Sequence, residues 1–85
     1  MAQLFASGFI HGGETIEWYA WGFPEGEVQT FTPYPMDGVP GVRLVIQNVR
    51  YDRLPVSPPW QWRVAFDLVN LDGNAIVYDI WWTRA

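Results

Sequence analysis

Cysteine is absent from the chain, so no disulfide or thiolate metal site can hold the fold, and the redox compartment cannot be read from cysteine usage. Lysine is absent as well: the five cations are all arginines, scattered among nine acids for a net charge of -4. A nucleic acid partner needs clustered cations to neutralise phosphates, and this balance argues against one. No apolar run approaches the roughly 18 residues of a membrane helix. The opening stretch, MAQLFASGFIHGG, has no basic segment and only a short apolar run broken by Ser7 and Gly8, so it does not read as a secretory signal. The expectation is a soluble protein of undetermined compartment, without a membrane span.

What is present is apolar and aromatic: 49% hydrophobic residues, 18% aromatic and only 16% charged, far from the composition of a disordered chain. Residues 1–85 are enough for one domain, just above the size at which a small core usually needs a staple. Stability therefore has to come from packing, or from packing plus self-association.

The apolar residues recur with period two, and Gly or Pro interrupts almost every stretch long enough for a helix. Strands are expected at Leu4 to His11, Glu14 to Phe23, Glu27 to Tyr34, Gly41 to Tyr51, Trp60 to Asn70 and Ala75 to Thr83. Turns are expected at Gly12-Gly13, Pro24-Glu25-Gly26 and Leu71-Asp72-Gly73. The first three strands read as a meander. The fourth, apolar on both faces near its middle, reads as lying inside a sheet. The last two read as a hairpin whose three-residue loop holds Gly73 in the left-handed conformation, pairing Leu68 with Ile76, Phe66 with Tyr78 and Val64 with Ile80, and setting Arg63 over Trp81. The Pro-rich stretches PYPMDGVPG and DRLPVSPP cannot pair in a ladder and serve as crossovers. Together these features predict an all-β fold, a small antiparallel β-sandwich of about six strands, with a partly closed barrel as the alternative.

The residues that stand out are aromatic. Trp18, Tyr19, Trp21 and Phe23 fall on both faces of one strand, and Trp81 and Trp82 do so on another. One face is core; the other meets solvent, a ligand or a second chain, unless the strand is buried on both sides. A sugar stacks its C–H face on a ring and hydrogen-bonds its hydroxyls to planar polar groups. Trp60, Trp62, Arg63, Asp79, Trp81 and Thr83 supply that mixture around the expected hairpin and are the candidate ligand-binding residues. Trp18, Tyr19, Trp21 and Phe23 are the candidate interface of a homo-oligomer, since such interfaces favour Trp and Tyr.

Catalytic signals are missing. Ser7 and Ser57 lack a nucleophile context, and the carboxylate pairs Glu14 with Glu17, Glu25 with Glu27 and Asp67 with Asp79 are read as solvated surface groups. His11 stands alone without metal-ligand spacing, so neither a metal nor a cofactor is expected. The sequence thus points to a non-catalytic binding module, carbohydrate-binding and lectin-like, working as a homo-oligomer. The alternative is an interaction subunit whose aromatic faces are sealed by protein contacts.

Overall fold

In the computed structural model, which describes residues 2–23, 28–54 and 61–84, six strands form two antiparallel sheets of three. They are β1 (Ala2–Ile10), β2 (Thr15–Phe23), β3 (Gln29–Pro35), β4 (Leu44–Leu54), β5 (Gln61–Asn70) and β6 (Ile76–Arg84). One sheet has the order β1-β6-β3 and the other β2-β5-β4. The fold is an all-β sandwich without barrel closure. The loops Pro24-Glu25-Gly26 and residues 55–60, with Trp60, lie outside the described residues.

Period-two alternation decides which side chains meet between the sheets. From the first sheet come Ile10, Phe31, Ile76, Tyr78 and Ile80; from the second come Ala20, Leu44, Val64, Phe66 and Leu68, all buried. Full burial of side chains of this size stabilises by about 1.5–3 kcal/mol each. Phe5 is an extra residue where β1 slips register between Leu4 and Ala6. The slip turns its ring inward, with centroids 5.2 Å from Phe31, 5.7 Å from Trp82, 5.9 Å from Trp18 and 6.1 Å from Phe66. The contacts with Phe31, Trp82 and Trp18 are edge-on, the favoured geometry for quadrupolar rings.

Six strands fall near the expected stretches, but two segments read as unpaired crossovers enter the ladders: Pro33 to Pro35 pair with β6, and Asp52 to Leu54 pair with β5, so that β4 runs from Leu44 to Leu54 and not from Gly41 to Tyr51. The partners of the strands depart from the pattern as well. β5 and β6 do not form a hairpin: each is the central strand of a different sheet, and the chain arches from one sheet to the other between them. Residues expected to pair across a hairpin, such as Phe66 and Tyr78, instead enter the core from opposite sheets. Asn70 fixes this arch. Its buried side chain donates from Nδ2 to the carbonyls of Asn74 (2.8 Å) and His11 (3.1 Å), while its Oδ1 accepts from the Asp72 amide (2.9 Å). The backbone of Asn70 and Leu71 stays bonded to Glu14 and Arg43, so the turn begins only after the chain has left the β2-β5-β4 sheet. Gly73 is not left-handed; among the described glycines that conformation belongs to Gly13, Gly38 and Gly41.

The meander is likewise replaced. β1 and β3 flank β6 in one sheet while β2 lies in the other, and β4, expected inside a sheet, is an edge strand. Tyr51 on β4 closes that side of the sandwich: its hydroxyl accepts from the Gln29 amide (3.0 Å) and donates to the Gln29 carbonyl (3.2 Å) on β3.

Candidate functional site

On the outer face of the β2-β5-β4 sheet, cross-strand register sets three rows: Glu17, Asp67 and Gln47; Tyr19, Ala65 and Arg50; Trp21, Arg63 and Asp52. Ala65 is small, so the middle row sags. The result is a hollow of about 340 Å³ with Ala65 as its floor and Glu17, Tyr19, Arg50, Asp52 and Arg63 around it. That volume lies at the small end of ligand sites, which run from about 300 to 1,000 Å³.

Arg50 reaches this face because β4 carries a bulge. Gln47 pairs with Asp67 and Arg50 with Ala65, so two residues, Asn48 and Val49, oppose one. Asn48 takes a left-handed backbone (φ 58°), which asparagine tolerates better than most side chains. Before the bulge, even-numbered residues such as Leu44 and Ile46 face the core; after it, the parity reverses and Arg50 and Asp52 turn outward. Re-aiming a side chain is a recurrent use of bulges beside functional sites.

The polar groups are tied together before any ligand arrives. Arg50 donates to Glu17, to the Asn48 carbonyl (2.7 Å), and lies 3.5 Å from Asp67, which also accepts from Asn48 Nδ2 (3.2 Å). Tyr19 donates its hydroxyl proton to Glu17. Arg63 pairs with Asp52 (2.9 Å) and lies over the Tyr19 ring, 5.0 Å from its centroid. Such a cation over a ring contributes about 0.5–1 kcal/mol at an exposed site. The expected Arg63–Trp81 contact is thus replaced by one with Tyr19, because β5 neighbours β2 and not β6. Trp21, 58% exposed, closes the row beside Arg63.

The residues singled out from sequence are distributed over three environments. Trp18 points inward and packs against the core, whereas Tyr19 and Trp21 point outward on the hollow's face. Arg63 lies on this face too. Asp79, Trp81 and Thr83 share the outer face of the β1-β6-β3 sheet on the opposite side of the sandwich, so the arch separates them from Arg63. Trp62 sits on β5 opposite Arg53, and Phe23 on β2 beyond the register shift at Gly22; their side chains, like all of Trp60, lie outside the described residues.

Glu17, Arg50 and Asp52 were not legible as site residues, since they converge from two strands that never adjoin in sequence. The one available signal was the parity change of the apolar residues across Gln47 to Val49. His11 packs edge-on against Phe9, with ring centroids 4.8 Å apart, and among the described residues no three His, Asp or Glu side chains gather as metal ligands. Among those residues there is also no helix long and apolar enough to cross a membrane. Comparison with protein-family models, with curated proteins and with solved structures finds no match to this chain.

Proposed function

We propose that the chain is a non-catalytic binding module that holds a carbohydrate against the outer face of the β2-β5-β4 sheet. The observation that carries this reading is the hollow over Ala65, in which outward Tyr19 stands beside two arginines and their carboxylates, with exposed Trp21 next to Arg63 in the neighbouring row. Sugar hydroxyls both donate and accept, so they need guanidinium donors and carboxylate acceptors side by side, while the ring face stacks on an indole or phenol. Glu17, Asp52 and Asp67 outnumber Arg50 and Arg63 on this face, which favours a neutral sugar over an acidic one. The mutual ion pairs hold the side chains in place, reducing the entropy lost when a ligand is bound. The shallow face does not exclude water from a bound molecule, which supports recognition over catalysis.

Edge recognition, the other common mode of a sheet, is disfavoured by the edges themselves. Met36 donates its amide to Val77 of β6 (2.9 Å), so by alternation the backbone nitrogens at positions 33 and 35 face outward, and both are proline. β1, β2 and β4 each carry a register shift. Recognition is left to the faces.

A glycan array probed with the purified protein tests the reading. Retention of a neutral oligosaccharide, weakened about ten-fold, or 1.4 kcal/mol, by Trp21→Ala, is the expected result. Ala65→Val, which fills the floor with a residue suited to a strand, should abolish retention while leaving thermal unfolding unchanged. No glycan retained at tens of micromolar protein, or retention indifferent to both substitutions, would overturn it.

A further inference from the structure

The geometry points to a second copy of this chain as the occupant of the opposite face, that of the β1-β6-β3 sheet, with two copies packed back to back. The register there gives outward rows of Leu4, Trp81 and Thr32, then Ser7, Asp79 and Tyr34, then Phe9, Val77 and Met36. Leu4, Phe9, Tyr34, Met36, Val77 and Trp81 are each 39–58% exposed. Taking about 200 Å² for a whole aromatic side chain and somewhat less for an aliphatic one, these six present roughly 500–600 Å² of apolar surface, the upper limit of what a monomer usually shows. Two such faces brought together remove about 1,100 Å² from water, above the roughly 1,000 Å² a specific interface needs but below the roughly 1,200 Å² at which stable ones begin, the range of weak and transient association.

The chemistry of the face selects a copy of itself over other partners. The rows contain no cation and a single carboxylate, Asp79, which accepts from the Ser7 hydroxyl at 2.5 Å. A basic or acidic partner therefore finds almost nothing to pair with, and an anionic lipid surface finds no positive charge to attract it. An antiparallel sheet can stack on a copy of itself about a two-fold axis, the commonest symmetry of homo-oligomers, with the two sheets about 10 Å apart. The edges, blocked as described, offer no competing route to assembly.

Asp79 sets the strength. It sits at the middle of the central strand, so a two-fold axis through the face brings both copies' carboxylates into the seam, where desolvation and like charge oppose association. The dimer is consequently weak and reversible, and removing the charge tightens it. Four stacked sheets place the two hollows about 30 Å apart and facing away from each other. On the carbohydrate reading this makes the dimer a cross-linker of multivalent glycans, but the dimer itself does not depend on that reading.

Sedimentation equilibrium from low to high micromolar protein tests the proposal. The expected result is a reversible transition from one 9.8 kDa copy to two. Val77→Arg should shift it to monomer at every concentration with an unchanged near-ultraviolet circular dichroism spectrum, and Asp79→Asn should tighten association about ten-fold. Trp21→Glu, on the other face, should leave it unaltered. A single copy at all concentrations, a larger assembly, association that survives Val77→Arg, or dissociation caused by Trp21→Glu overturns the proposal. A failed glycan array with an intact dimer would count against the carbohydrate reading alone.

Discussion

Asn70 carries more of the topology than any apolar side chain does. Its amide satisfies backbone groups belonging to the end of β1, the start of the arch and the residues before β6, at a position 1% exposed. Asn70→Leu keeps the volume but leaves those groups unpaired, and urea unfolding should show a loss of about 2–3 kcal/mol. Arg43 works on the surface of the same end, donating from Nε to Asp72 (2.7 Å) and from Nη1 to Asp37 (2.8 Å), and so ties the loop between β3 and β4 to the arch. These bonds hold both carboxyls below their ordinary value of 3.8. A depressed folded-state value gives stability that is present above pH 3.8 and lost as pH falls through the lowered values. The urea midpoint should therefore fall on acidification below pH 4, and Arg43→Gln should flatten part of that slope while lowering the neutral-pH midpoint only slightly.

The elements themselves were largely readable, since period-two alternation in Val64 to Leu68 and Ile76 to Ile80 states directly which side chains face the core. Pairing was not. Phe66 and Tyr78 satisfy the same apolar pattern whether they are neighbours across a hairpin or opposite across a sandwich, and only Asn70, polar at an inward position, marks the difference. The bulge at Asn48 was hidden for the same reason, and with it the approach of Arg50 to Glu17. The outward aromatics Tyr19, Trp21 and Trp81 were recognisable, but their division between two opposed faces depends on pairing. The ends of the elements also meet closely: a Cβ on Gly12 would lie 2.2 Å from the Gly73 carbonyl oxygen, whereas one on Gly73 meets nothing within 4 Å. Gly12→Ala should force apart the β1–β2 turn and the β5–β6 arch and lower the melting temperature markedly, while Gly73→Ala should move it by a degree or two.

As a whole the molecule is a thin sandwich with two unlike outer faces, one hollowed and lined by mutually paired charges, the other largely apolar. Among the described residues the buried cluster holds ten, and the rings outside it are sorted by face: Tyr19 and Trp21 beside arginines, Phe9, Tyr34 and Trp81 among aliphatics. The weak dimer proposed through the apolar face would leave the hollow free, so that ligand and partner would not compete. The most direct test is mapping of backbone amide NMR shifts during titration with the neutral oligosaccharide retained best on the array. Shifts concentrated around Glu17 to Trp21, Arg50 to Asp52 and Arg63 to Asp67 are predicted. Shifts centred on Val77 to Trp81, or no shifts at millimolar sugar, would contradict the account.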